Sequence, residues 1–279
     1  MLGLGAAAGI FLTRAPVLVL GDLFFDTLYG PRRALLRQAG ASLRLFRPVK
    51  KVTVAENTGP DAVIFALEEA SSRPWAVLAP YRHAQGLRRY AEQHPEITAL
   101  ILGGRENFRE GQLLSLAADT RLDSYRAGRS AAFFAREKEG QILVLQEERD
   151  FPVNRDAFQA GLLAENCAVN PLYMSGYTEY PDYDNLSCVV LGGNAQAFLS
   201  RNRTVPVILF SWLDPAFSPA NVKLIFDDSP WGIPVEAFQS AVEAGEGPVP
   251  SGITVFSGRI GRRDLLEKIK TVVREGIVE

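Results

Sequence analysis

The chain has 279 residues, enough for one large domain or two of ordinary size. Hydrophobic residues make up 47% and charged residues 22%, the composition of a soluble globular protein. A formal net charge of −2 and a pI near 5.9 argue against an electrostatic nucleic-acid binder, and lysines and arginines are spread along the chain without a basic block.

The opening MLGLGAAAGIFL holds an apolar run, Leu2 to Leu12, too short to span a bilayer as a helix. It resembles the hydrophobic part of a secretory signal but lacks a basic flank and a clear cleavage site. Its GxGxxxG spacing is no nucleotide loop, because no strand precedes it and Thr-Arg-Ala-Pro follows. Residues 1–15 are expected to be an export or anchor remnant, or an extension packed on the protein.

Pro16 to Leu20 (PVLVL) reads as a strand covered on both faces. A helical pattern runs from Asp26 to Gly40, a natural stop, and Ser42 to Phe46 reads as a second strand. A helix from Asp61, a strand Trp75 to Ala79, the helix QGLRRYAEQ and a strand Ile97 to Leu102 follow. In RLDSYRAGRSAAFF (121–134), Asp123 is placed to cap a helix beginning near Ser124. Gly128, Ala131 and Ala132 would let that helix sit close against a sheet.

Then the alternation starts again. Gln141 to Leu145 is a strand and Arg155 to Ala164 a helix. Val169 to Met174, Ser187 to Leu191, Val205 to Phe210 and Val222 to Phe226 are strands. Pro234 to Ala244 is a helix, Ile253 to Phe256 a last strand and Arg262 to Arg274 a closing amphipathic helix. Alternation of this kind implies parallel, doubly wound sheets, and two series imply two lobes.

Cys167 and Cys188 fit neither a disulfide framework nor a zinc site, and are expected to be buried free thiols, with a single disulfide the alternative. The two histidines, His83 and His94, have no setting that suits a metal centre or a catalytic triad. No paired acid–base spacing, phosphate loop or nucleophile elbow is present, so neither an enzyme nor a cofactor is expected.

The order of motifs resembles the type I periplasmic binding proteins and the effector domains of lactose-repressor-type regulators. Asp123 with Ala127-Gly128 and Ala131-Ala132 is similar to that family's mid-chain pattern, and Val17–Leu20 with Phe24-Phe25 to its first strand. Asn154-Arg155-Asp156-Ala157-Phe158 resembles its Arg–x–x–Phe helix start, and Leu191-Gly192-Gly193-Asn194-Ala195 its Asn-Asp-x-x-Ala turn. Ile225 to Pro230, through Gly232 and Ala237, resembles its last crossing back to the first lobe. Asn194 stands where the family has Asp, and Gly176–Asn185 is short for the helix expected there. The resemblance implies an α/β fold of two doubly wound Rossmann-like lobes joined by a multi-strand hinge. The lobes would be 16–122 with 229–250 and 123–228 with 251–279, hinged through Asp123, Ser229 and Pro250–Gly252.

Ligands of open parallel sheets bind beyond the carboxyl ends of the strands. That places Asp22, Phe24, Phe25, Tyr81, Arg82 and Arg105 at the rim of the first lobe, and Glu147, Arg155, Asn194, Ser211, Trp212 and Asp227 at that of the second. Phe24, Phe25 and Trp212 could equally be core, Asp22 a helix cap, and Arg82 and Arg155 structural. The tyrosines Tyr173, Tyr177, Tyr180 and Tyr183 could line a cleft or pack on the protein's own surface.

The expected function is a monomeric, non-enzymatic solute receptor. It would bind a sugar, nucleoside or similar polar metabolite for an ABC-type transporter permease or a sensor, with no nucleic-acid partner. It would be periplasmic or membrane-anchored, carrying a signal peptide or lipoprotein anchor. The fifteen residues before Pro16 are too few for a helix-turn-helix. The alternative is a cytoplasmic ligand-sensing domain of a regulator without its DNA-binding module.

Overall fold

Strand β1, Val17–Asp22, is buried along its whole length and lies second in a six-stranded sheet of order β2-β1-β3-β4-β6-β5. The computed structural model describes residues 11, 13–22, 31–55, 58–104, 107–146, 153–175, 185–192, 196–210, 219–227 and 251–275. By contact density the chain divides into two units, Met1–Ala118 with Asp228–Val249 and Asp119–Asp227 with Pro250–Glu279. The chain therefore passes from one unit to the other three times.

In unit 1, β1 is followed by α1 (Pro31–Leu45), β2 (Val49–Val54), α2 (Pro60–Ala70), β3 (Ala76–Pro80), α3 (Ala84–Gln93), β4 (Thr98–Gly104), β5 (Phe108–Glu110) and β6 (Leu113–Ala117). All neighbours pair in parallel except the β5–β6 hairpin at one edge. In unit 2 the elements are α4 (Thr120–Glu137), β7 (Gln141–Gln146), α5 (Arg155–Ala164), β8 (Leu172–Ser175), β9 (Leu186–Gly192), α6 (Gln196–Arg201), β10 (Val207–Phe210), β11 (Val222–Asp227), β12 (Gly252–Val255) and α7 (Arg263–Val272). Their sheet runs β12-β11-β10-β9-β7-β8, with β12 alone antiparallel. Helix-covered faces explain the unbroken apolar strands: in β9, Cys188 and Val190 join one core while Val189 and Leu191 join the other.

Several expectations are corrected. Helix α1 runs through Gly40 and takes up Ser42–Leu45, so the second strand is Val49–Val54 instead. The helix stops at Phe46, which adopts the left-handed conformation (φ 49°) while the Arg47 amide donates to Ser42 O at 3.2 Å. That is the closing geometry usually given to glycine. Strand β2 is an edge strand whose Lys50-Lys51 pair hides its alternation. The hairpin Phe108–Ala117 was not expected, and β8 and β10 begin at Leu172 and Val207, later than expected. Residues 26–30, the helix at 234–244 and the loop holding Tyr177, Tyr180 and Tyr183 lie outside the described residues.

Helix α4 begins at Thr120, one turn before the expected start. Its cap is Asp119, whose Oδ1 accepts from Leu122 N at 2.9 Å, and Asp123 lies inside the helix, 2% exposed. Gly128 does not face a sheet. A Cβ there would stand 2.1 Å from the carbonyl oxygen of Phe158 on α5, and one on Gly161 would stand 2.2 Å from that of Tyr125.

Both cysteines are free and buried, and burial pushes the Cys188 thiol above its ordinary range. A thiol reagent is therefore expected to label neither cysteine in the native protein and both after denaturation. Rapid stoichiometric labelling of the native chain would contradict this packing.

Candidate functional site

The two sheets each have a switch point, where the chain leaves the first strand in one direction and returns on its other side. In unit 1 it lies between β1 and β3, and in unit 2 between β7 and β9.

At the unit 1 switch point the last residue of β1 is Asp22, fully buried. The chain leaving β3 makes a single 3₁₀ turn, Tyr81–His83, that brings two cations or donors to it. Arg82 Nε lies 3.2 Å and His83 Nε2 3.0 Å from the same oxygen, Asp22 Oδ2. His83 is 4% exposed, and burial lowers its pKa despite the opposing hydrogen bond to Asp22. The neutral ring then donates its Nε2 hydrogen to the carboxylate. The Arg82 side chain is 35% exposed and Tyr81 is 56% exposed, so the cluster runs from a buried acid to an open rim. A buried carboxylate held this way, with arginine donors beside it, suits hydroxyl pairs or other polar groups of a small molecule.

At the unit 2 switch point, α5 starts where expected. Asn154 Oδ1 accepts from Ala157 N at 2.9 Å, and its own amide donates to Ser124 Oγ at 2.9 Å. This fixes Arg155 on the first turn, with its guanidinium 4.5 Å from the centre of the Tyr173 ring on β8. Burial raises the pKa of Tyr173. Asp227 ends β11 and is 1% exposed.

Asp123 hydrogen bonds to Ser251, joining the two stretches of chain that have just entered unit 2 after Ala118 and Val249. Its Oδ1 has no hydrogen-bond partner among the described residues. Burial pushes its carboxyl up to about 7, aided by Asp119 and opposed by Ser251 and Arg126.

Asp22, Tyr81 and Arg82 are thus brought together, and Arg155 and Asp227 lie at strand ends of unit 2. Phe24, Phe25, Arg105, Glu147, Asn194, Ser211, Trp212 and Ser229 lie outside the described residues. The sequence reading missed His83; its place three residues beyond a strand end was the available signal, but its burial against Asp22, 61 positions away, was not visible. His94 sits at the end of α3, against the Tyr90 ring and 3.4 Å from Glu68. Among the described residues no group of three His, Cys, Asp or Glu side chains could hold a metal ion, and no helix is long and apolar enough to cross a membrane.

No family model matches the sequence, and no curated protein matches it. Solved structures do. The chain is similar to a transcriptional activator of the comK gene from Bacillus halodurans (TM-score 0.62, 12% identity, covering 94% of this chain and 96% of that one). It is also similar to an ABC transporter solute-binding protein from Conexibacter woesei DSM 14684 (TM-score 0.59, 13% identity, 94% and 95% covered). A third likeness is to an ABC transporter solute-binding protein from Aeropyrum pernix K1 (TM-score 0.50, 14% identity, 94% and 85% covered). Two parallel-dominated sheets flanked by helices, with these likenesses, give the chain the fold of the type I periplasmic binding proteins.

Proposed function

We propose that the protein is a non-enzymatic receptor whose two units close on a sugar, nucleoside or similar polar metabolite. It would deliver that solute to a membrane transporter permease or a sensor, working as a monomer that is periplasmic or anchored on the outer face of the cytoplasmic membrane. The observation that carries this reading is the Asp22–Arg82–His83 cluster at the β1/β3 switch point. The likenesses to the C. woesei and A. pernix solute-binding proteins support it. Tyr81, Arg155 and Asp227 would add contacts, as would Phe24, Phe25, Arg105, Glu147, Asn194, Ser211 and Trp212. Bending would occur near Asp123, Ser229 and Pro250–Gly252, between lobes 16–122 with 229–250 and 123–228 with 251–279.

A thermal-shift screen of sugars, nucleosides and amino acids tests the proposal on protein freed of co-purified ligand. At least one compound should raise the melting temperature, and Asp22→Asn should weaken its binding roughly tenfold to a hundredfold, the value of a hydrogen bond to a charged group. No stabilisation by any compound would refute the receptor reading. A second reading, the sensing domain of a cytoplasmic regulator, is favoured by the likeness to the B. halodurans activator. Cell fractionation separates the two: an exported receptor leaves the cytosol, a regulator's sensing domain stays there.

A further inference from the structure

Helix α1 leaves three of its leucines, Leu35, Leu36 and Leu43, exposed. Gln38, Ala41, Ser42 and Leu45 are half-buried, and Gln38 Nε2 donates to Val49 O at 2.7 Å while Ser42 Oγ accepts from Val49 N at 3.1 Å. At helical spacing, Leu35, Ala39, Leu43 and Leu36 fall in one arc of about 100°, centred about 120° round the helix from that set. Leu35, Leu36 and Leu43 are 64%, 76% and 77% exposed, and Phe46 continues the arc at 41%. A clustered apolar face in water marks a contact surface.

The surroundings of this face are basic. From Thr27 to Ala55 the sequence has seven Lys and Arg residues and no Asp or Glu, which leaves 23 basic and 32 acidic residues, a net charge of −9, for the rest of the chain. Four of the seven, Arg44, Arg47, Lys50 and Lys51, fall between the last turn of α1 and the start of β2. Arg14, Arg44 and Lys50 are exposed. The Arg14 guanidinium sits 4.9 Å over the Phe46 ring, and burial, then the Arg14 charge, lower the pKa of Arg47. Phe11, which follows the apolar sequence Leu2–Ile10, sets its ring against that of Phe46 at 5.9 Å.

We infer that this face of unit 1 docks on an anionic lipid bilayer, with α1 lying in the interface. Leu35, Leu36 and Leu43 enter the acyl boundary, and Arg14, Arg44 and Lys50 meet the lipid phosphates. An exposed apolar arc beside exposed basic side chains is the pattern of an interfacial helix. Charge complementarity selects the bilayer over a second copy of the chain, since two such faces would set like charges against each other. The inference needs no solute and stands apart from the receptor reading.

The test is co-sedimentation of the full chain with phosphatidylcholine vesicles, with and without roughly one-third phosphatidylglycerol. The protein should bind the anionic vesicles, bind neutral ones at least about tenfold more weakly, and be released at about 1 M salt, where charges are screened beyond about 3 Å. The double variant Leu36→Glu/Leu43→Glu, with both changes at exposed positions, should lose binding by at least about tenfold while melting like the parent. Arg44→Glu/Lys50→Glu should weaken anionic binding only. Equal binding by the parent and the leucine variant would overturn the proposal and assign the attachment to the chain before Phe11. Failure to bind anionic vesicles would also overturn it, including where light scattering shows a dimer that Leu43→Glu breaks.

Discussion

Replacing Gly128 by alanine is expected to cost unit 2 about 3 kcal/mol, the upper end of what overpacking costs, and to lower its melting temperature by roughly 10 °C. The new Cβ would stand 2.1 Å from Phe158 O and 3.0 Å from Phe158 C. Gly161 faces α4 in the same way, 2.2 Å from Tyr125 O and 2.9 Å from Arg129 N. Each glycine meets backbone of the partner helix, so no side chain can swing aside. Relief requires the helices to part, which would open space around Phe158 and Leu162, both fully buried. Alanine's better helix propensity returns only about 1 kcal/mol. Urea melts of Gly128→Ala, Gly161→Ala and the double variant check the geometry. The double variant should cost less than the sum of the two, because the first change already separates the helices. A neutral or stabilising Gly128→Ala would show that α4 and α5 do not touch backbone to backbone.

The second large effect is a pH dependence carried by Asp123. Its carboxyl is raised to about 7 in the folded protein, chiefly by burial, above an ordinary value of 3.8. Below about pH 4 the group is protonated in both folded and unfolded chains, so it costs nothing. Between about pH 4 and 7 the unfolded chain ionises and the folded one does not, removing about 1.4 kcal/mol of stability per pH unit. Above about 7 both are ionised and the accumulated loss, on the order of 4 kcal/mol, stays constant. The unpartnered Oδ1 agrees with a neutral acid at this position. Asp123→Asn removes the titration while keeping the shape. Its stability relative to the parent should rise from near zero at about pH 4 to a few kcal/mol at about pH 8, measured by chemical denaturation across that range. A difference that does not change with pH would show that the carboxyl is not held neutral. Because Asp123 bonds to Ser251 where two of the three crossings enter unit 2, the proposed hinge carries this titration.

The α/β class and the doubly wound order were legible because each core strand is covered on both faces, so VLVL in β1 and CVVL in β9 read as unbroken apolar runs. The bounds of α5 were legible to the residue, since Asn154 is a local cap that needs no distant partner. Asp22, Tyr81 and Arg82 could be picked as strand-end residues from the alternation alone. These are all properties of neighbours in sequence, for which periodicity and capping are sufficient evidence.

What the tertiary structure decided lies between residues far apart. Ser42–Leu45 has a strand-like alternation but stays helical, held by Gln38 and Ser42 to Val49 and closed by a phenylalanine where a glycine was the expected signal. Asp119 and Asp123 are one helical turn apart and equally able to cap; the position at which the chain leaves β6 makes one the cap and buries the other. Gly128 reads as a small residue facing a sheet until α5, some thirty positions later, is seen against it. His83 has no evident role until β1 and β3 pair and set it on Asp22. A sequence encodes its own local period, because that period is set by backbone geometry common to all chains. Which carboxylate meets which ring across sixty residues depends on how the packed elements share their space.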